Sequence, residues 1–244
     1  MSKYAEKIKQ SVIPPDWDFD LIAKRFTARR KQFGWTLEQL AKKAGVSRFT
    51  IQRMEKGIPC SYPTIRKVRS SLQFFSEQLT KSDQPSANFF LSRNSSSRWM
   101  VSRPVNRRGQ QMISKDLIYV DDPIERQRLG SIGFQKFFTC LPRSEFPEGV
   151  MCHGLMELYD RTPFDQHFGE ELVYCLQGRV EMIIEDESCI LEEGDSMIFD
   201  AWKPHSYGPD GEESFAKIMV VVAIRPDEPE RIKELEKKKN LWGI

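Results

Sequence analysis

Apolar positions in the amino-terminal third of the chain recur at intervals of three and four residues. Leu21, Ile22 and Phe26, with Phe33 beyond them, mark one helical face. Leu37, Leu40, Ala41 and Ala44 mark a second, Ile51 and Met54 a third, and Ile65, Val68 and Leu72 a fourth. The punctuation between these stripes agrees with them. Thr36-Leu-Glu-Gln39 has the spacing of a capping box, in which the Thr36 side chain and the Gln39 side chain each satisfy a free backbone N–H. Gly45 is placed to stop the second helix, and Ser47 to cap the third. Gly57 ends the third helix, and Ser61 caps a fourth that tolerates Pro63 in its first turn. The pattern predicts four helices between Asp18 and about Leu72.

The periodicity changes after Leu117. Short runs such as Leu172–Leu176, Val180–Ile184 and Lys217–Ile224 are separated by turns containing Gly, Pro and Asp. That spacing predicts an all-β barrel or double-sheet roll. Residues 76–115 are rich in Ser, Asn, Arg and Gln with scattered apolar positions, and read as a linker that delivers a strand to the next domain. The expected organisation is α+β in two domains: a tail at 1–15, an all-α domain at 16–75, a linker at 76–115, an all-β domain at 116–227 and a tail at 228–244. That last tail has acids first and bases last, as a short helix prefers.

Charge sharpens this division. The net charge of the 244 residues is only +2. Residues 1–115 nevertheless hold 23 Lys+Arg against 8 Asp+Glu, a net of +15, and residues 116–244 hold 14 against 27, a net of −13. A basic module beside an acidic one points to a polyanionic partner for the first. Composition excludes other classes. Hydrophobic residues at 39% and charged residues at 30% fit a globular chain, not a collagen-like or wholly disordered one. The apolar run Met219–Ile224 is far too short to span a bilayer, and the first residues lack the apolar core of a secretory signal. Five cysteines without a CxxC pair indicate neither a disulfide framework nor a zinc ribbon. A reducing, cytoplasmic setting is expected, with no membrane partner.

The segment Thr36-Leu-Glu-Gln-Leu-Ala-Lys-Lys-Ala-Gly-Val-Ser-Arg-Phe-Thr-Ile-Gln-Arg-Met-Glu-Lys-Gly57 resembles the phage-repressor (Xre/Cro-like) helix-turn-helix family. The resemblance covers residues 18–72 and implies that the helix after Ser47 enters the major groove of double-stranded DNA. By position it assigns base contacts to Arg48, Phe49 and Arg53, with Gln52 close by. An Arg can pair bidentately with guanine, and an aromatic edge can rest on a thymine methyl. Packing against a neighbouring helix is the alternative for Phe49. Lys42, Lys43, Lys56 and Lys67 are the expected phosphate neutralisers. Many members of the family carry Gln where this chain has Leu37, so a contact usual there is expected to be absent.

A second cluster runs Asp165-Gln-His-Phe-Gly-Glu171 and on to Gly178, followed by Gly194-Asp-Ser-Met-Ile-Phe-Asp-Ala-Trp-Lys-Pro-His205. The intervals Glu171 to Gly178 and Gly194 to His205 resemble the two cupin motifs, which implies a jelly-roll barrel. Side chains alternate faces along a strand, so Asp165, His167 and Glu171 share a face if that segment stays extended. His205 would reach the same interior from another strand. Two neutral imidazoles and a carboxylate form a facial set that suits a divalent ion of iron, manganese, nickel or zinc. Asp165 stands where the family has its first His, and is either a fourth ligand or a hydrogen-bond acceptor behind the ligands. Asp200 and Trp202 replace the usual Pro and Gly of the second motif. A metal-free barrel with a buried polar network or an organic ligand is the alternative. Cys175 and Tyr207 have the parity of pocket residues, and packing is the plainer role for both. His153 lies outside both motifs.

Together the two resemblances imply a dimeric, sequence-specific transcriptional regulator whose cupin senses a small-molecule effector or a metal, and which is not an enzyme. The rival is a mononuclear non-haem iron oxygenase. Hydroxypropylphosphonate epoxidases also join a repressor-like domain to a cupin and share the His-x3-Glu…His form of His167, Glu171 and His205. That family places tyrosines on an early barrel strand, and the corresponding stretch here, Gly133-Phe-Gln-Lys-Phe-Phe-Thr-Cys-Leu141, has none.

Overall fold

The computed structural model describes residues 17–74, 79, 94, 97–101, 118–140, 151–211, 214–225 and 227–234. The chain forms two compact units. Most of residues 76–115 and the tail at 1–15 lie outside the described residues.

In the helical unit, α1 (Phe19–Gln32) is capped by Asp18, whose carboxylate accepts from the Leu21 N–H, and buries Ile22, Ala23 and Phe26. The expected capping box opens α2 (Leu37–Ala44): the Gln39 N–H donates to the Thr36 hydroxyl at 3.2 Å, and the Thr36 N–H donates to Gln39 Oε1 at 2.7 Å. Gly45 ends α2 with φ +60°, a left-handed conformation that glycine adopts without penalty. Ser47 accepts from the Thr50 N–H at 3.0 Å and starts α3 (Arg48–Met54). For α4 (Tyr62–Ser71) the cap differs from expectation. The Ser61 side chain makes no bond to the helix backbone, and its hydroxyl lies 2.9 Å from the Thr64 hydroxyl instead. Leu40, Ile51, Met54, Ile65, Val68 and Leu72 close the core. Arg30 clamps the end of α3 with a two-pronged pair to Glu55 at 2.6 and 2.9 Å.

Residues 224, 225 and 227–234 belong to this same helical unit, far in sequence from its other helices. They carry a last helical stretch at 228–234, in which Ile232 and Glu228 are buried. A Cβ built on Gly34 would lie 3.2 Å from Pro229 Cβ.

Among the described residues, the second unit holds two sheets. Its strands are β1 (Met100–Val101), β2 (Ile118–Tyr119), β3 (Lys136–Cys140), β4 (Met151–Leu158), β5 (Glu170–Gln177), β6 (Val180–Ile184), β7 (Glu187–Leu191), β8 (Ser196–Asp200), β9 (His205–Pro209) and β10 (Ala216–Ala223). Seven of them run in the order β2-β1-β3-β4-β10-β5-β8, and three in the order β7-β6-β9. Alternation along β5 buries Glu171, Val173 and Cys175 and turns Leu172, Tyr174 and Leu176 outward.

The expectation of an all-β unit needs one addition. A helix, α5 (Pro123–Ser131), starts at Asp122, whose side chain accepts from the Ile124 N–H. A buried ion pair holds it: Arg126 donates to both Glu157 carboxylate oxygens at 2.7 and 3.0 Å and to the carbonyls of Val120 and Asp121. Its guanidinium also lies 4.2 Å from the centre of the Trp99 ring. Trp99, Val101, Val120, Leu129, Phe134 and Phe137 form an apolar cluster in this region.

Candidate functional site

The barrel site is assembled by two stretches of chain bonded to each other. Asp165 and His205 exchange backbone hydrogen bonds at 2.8 and 3.0 Å, the His167 N–H donates to the Ala201 carbonyl at 3.0 Å, and the Ala201 N–H donates to the Gly169 carbonyl at 3.1 Å. The rings of Phe168 and Trp202 stack at 4.9 Å with a 2° tilt. Trp202, one of the departures from the cupin pattern, thus ties the two stretches together. Asp200, the other, accepts from the Trp202 N–H at 3.1 Å and shapes the turn that follows β8.

Residues 165–171 do not stay extended, so the condition for one shared strand face is not met. The chain leaves its bridge at Asp165, bends through Phe168 and Gly169, and only then enters β5. Gly169 has φ +101°, and a Cβ there would come within 2.4 Å of the Ala223 carbonyl oxygen. The bend nevertheless brings His167 beside Glu171, the first inward residue of β5.

Three of the four expected donors meet. One ligating atom each from His167, Glu171 and His205 lies within 4.8 Å of the others. His167 Nε2 is 2.8 Å and His205 Nε2 is 3.7 Å from Glu171 Oε2. Asp165, although bridged to His205 through the backbone, is not in this group: its side chain is exposed, and Oδ1 accepts from the Gln166 N–H at 2.9 Å.

The donor set fits a divalent cation. Ligand atoms about 2.1 Å from an ion and at right angles to each other would be about 3 Å apart. Glu171 and His205 are each 1% exposed, yet Glu171 Oε1 and His205 Nε2 have no hydrogen-bond partner. Buried polar atoms left so are costly, and an ion between them would satisfy both. His205 Nδ1 is 2.9 Å from the Lys203 carbonyl, which fixes the proton on that nitrogen and leaves Nε2 with its lone pair toward Glu171. Burial holds the His205 pKa below the ordinary imidazole range, so the ring is neutral, as a ligand must be. Burial pulls His167 the same way, but the hydrogen bond and charge of Glu171 outweigh it and raise its pKa.

Tyr207 lies beside this cluster, its ring 6.2 Å from that of His205, and burial pushes its phenol well above the usual range. Cys175 is remote. It sits four residues along β5 from Glu171, about 13 Å away, and its thiol lies 3.3 Å from the Gly178 carbonyl. His153 is on β4, outside the cluster. Two residues were missed by the sequence reading. Phe199, paired with Glu171 across β5 and β8, stands 5.0 Å from the His205 ring. Lys136 reaches Tyr207, with Nζ 5.9 Å from its ring centre. Their strand parity was the available signal, but it needed the register.

In the helical unit, Arg48 and Phe49 occupy the first turn of α3, and Gln52 and Arg53 the next. Arg48 and Arg53 are exposed and Gln52 is half-buried. Phe49 is 66% exposed, so packing within this unit does not account for it. Lys42 and Lys43 lie in the last turn of α2, and Lys56 and Lys67 are also exposed. Lys43 rests over Trp35, 4.6 Å from the ring centre. Leu37 is half-buried.

Comparisons with known proteins follow the same division. Residues 27–69 match the helix-turn-helix family model, and residues 155–222 match the cupin domain model. The chain therefore joins an amino-terminal helix-turn-helix domain to a carboxy-terminal cupin domain. No curated protein matches it. Among solved structures, hydroxypropylphosphonic acid epoxidase from S. wedmorenis is similar at 16% identity, covering 83% of this chain and 97% of that one, with a TM-score of 0.40. A helix-turn-helix transcriptional regulator from Vibrio cholerae is similar at 15% identity, covering 85% and 97%, with a TM-score of 0.37. A cupin superfamily protein from Desulfitobacterium hafniense shares 20% identity over 37% of this chain and 79% of its own, with a TM-score of 0.33. Likenesses at this level assign no activity. No helix among the described residues is long and apolar enough to cross a membrane.

Proposed function

We propose that this protein is a sequence-specific DNA-binding transcriptional regulator whose cupin domain senses a small molecule or metal ion. The observation that carries the reading is α3: a capped helix in a helix-turn-helix unit presents Arg48, Phe49 and Arg53 to solvent. Residues 1–72 add a net charge of +10, from 16 Lys+Arg against 6 Asp+Glu. Arg48 or Arg53 would read guanine, Phe49 would rest on a thymine methyl, and Lys42, Lys43 and Lys56 would neutralise phosphates. Two copies of the chain would place their α3 helices about one helical turn of DNA apart.

His167, Glu171 and His205 would hold the divalent ion, which would supply a Lewis-acidic centre with open positions for a small molecule. An effector that favours one dimer geometry changes DNA affinity by the same factor by which DNA changes its own. The test is a salt-dependent titration of the full chain against the promoter of its own operon, with and without added metal and candidate effectors. Binding no tighter than to random DNA at physiological salt sinks the regulator reading.

A second reading, a non-haem iron oxygenase, is favoured by the triad itself. Oxygen consumption by the iron-loaded protein with a small organic substrate would support it. An iron-loaded protein inert toward oxygen beside specific operator binding would remove it.

A further inference from the structure

We propose that the outer edge of β8 pairs with the same strand of a second copy of this chain, antiparallel and centred on Ile198. The inference rests on the reading that two copies act together, and gives that pair its contact surface. Among the described residues the sheet edges are β2, β7, β8 and β9. An unpaired edge is a template for another strand, and proteins guard the edges that must stay single. β2 is two residues long. β9 ends in Pro209, and its side away from β6 bonds to residues 162 and 165. β7 opens on the exposed Glu187 and is flanked by the exposed acids Glu185, Asp186, Glu192 and Glu193. β8 has none of these devices. It reads Ser196-Met-Ile-Phe-Asp200, its one charge is on the last residue, and Ile198 at its centre is 64% exposed.

The hydrogen-bond pattern fixes which groups this edge offers. The Cys175 N–H donates to the Asp195 carbonyl at 2.9 Å, and the Ala201 N–H donates to the Gly169 carbonyl at 3.1 Å. Both ends of β8 thus turn their odd-numbered residues toward β5. Alternation then turns the N–H and C=O of Ser196 and Ile198 away from β5, where neither residue has a backbone partner among the described residues. Pairing about Ile198 lets that residue exchange two N–H···O=C bonds with its own counterpart. On the outer face Ile198 meets Ile198 and Ser196 meets Asp200, and on the inner face Met197 meets Phe199. Apolar groups face apolar groups, and Asp200 faces a serine, not a second carboxylate. Centring on Met197 or Phe199 would instead set Ile198 against Ser196 or Asp200. The strand is therefore complementary to itself in one register, as an interface with two-fold symmetry requires.

The experiment is sedimentation of the full chain without DNA, followed by mild oxidation of cysteine variants. The wild type should sediment as a concentration-dependent dimer. Ile198→Pro removes an N–H that β5 does not use, and Ile198→Lys sets two ammonium groups against each other at the axis. Each should raise the dimer dissociation constant about tenfold or more, with the circular dichroism spectrum unchanged. Where Ile198→Pro fails to fold, Ile198→Lys decides. In Ile198→Cys the paired Cα atoms would be about 5.5 Å apart, within reach of a disulfide. Oxidation should therefore join the two copies through position 198, as read by peptide mass. Leu172, next to Ile198 on the outer face, would be three strand spacings, about 14 Å, from its counterpart, so Leu172→Cys should not link. A wild type that stays monomeric, a dimer indifferent to the substitutions, or oxidation that fails at position 198 or links position 172 overturns the proposal. DNA is absent throughout, so a chain that dimerises this way yet binds no operator sinks the regulator reading alone.

Discussion

Replacing Glu171 by Gln tests the barrel site at its centre. The carboxylate is 1% exposed, takes a hydrogen bond from His167 Nε2 at 2.8 Å, and has a second oxygen with no partner. In the ion-free protein that burial costs stability, so removing the charge should change stability little. With an ion present the balance reverses, because the anionic ligand is lost. A ligand that binds only the folded state stabilises by RT ln(1 + [L]/Kd), about 2.7 kcal/mol at a concentration of 100 Kd. For a chain of this size, that is a rise in melting temperature of about 5–10 °C. Thermal unfolding followed by circular dichroism, with chelator and then with Mn(II) at 100 times the measured Kd, reads both states. The wild type should show the rise and Glu171→Gln should lose nearly all of it. A wild type that does not respond, or a variant with the full response, refutes the assignment of Glu171 as a ligand.

Other consequences follow from the two domains. Arg48→Ala or Arg53→Ala should cost about 1–3 kcal/mol of specific binding and relax one base preference, whereas Lys42→Ala should weaken binding alike on all sequences and reduce the salt slope by about 1; fluorescence anisotropy at several salt concentrations separates the two. Mn(II) affinity should fall on acidification, because Glu171 raises the pKa of His167 and a proton competes for its Nε2 from above the ordinary value of 6.5 downward; a Kd constant between pH 8 and pH 6 would contradict this. Arg126→Met should destabilise the barrel by about 3–5 kcal/mol, because it leaves Glu157 charged and buried with only a Lys217 ammonium at 3.8 Å and the Tyr159 hydroxyl nearby. Chemical denaturation measures that loss, and Arg126→Met combined with Glu157→Leu should recover much of it.

The helical half was legible because its signals are local. The Thr36–Gln39 box, Gly45 and the Ser47 cap are each decided within four residues, and the structure has all three. Ser61 failed as a side-chain cap because its hydroxyl took the Thr64 hydroxyl, an equally near competitor. Helix α5 was invisible for the opposite reason. Its segment Pro123-Ile-Glu-Arg-Gln-Arg-Leu-Gly-Ser131 has no apolar stripe, and Ile124 is 75% exposed. What fixes it is a pair between residues 31 positions apart. At the barrel site, the spacing of His167, Glu171 and His205 was readable, but the reason for their convergence was not. Strand parity suggested a shared face; the actual device is a bend at Gly169 stitched to residues 201–205 by backbone hydrogen bonds. Asp165 is bridged to His205 through the backbone, but its side chain is not in the three-residue cluster and accepts from the Gln166 N–H instead.

The return of residues 227–234 to the helical unit has a consequence for synthesis. The reading helix is made early, but Pro229 and Ile232, which complete its unit, emerge some 160 residues after α4. At about 5–20 residues per second, the ribosome needs roughly 8–30 s to supply them. Throughout that interval a nascent chain carries α3 without the full packing of its own unit. Truncated products that stop within the barrel would share this defect. Under the proposed regulator function, the cell would thus be spared fragments that occupy an operator without the cupin domain, since the last piece of the helix-turn-helix unit is encoded behind that domain.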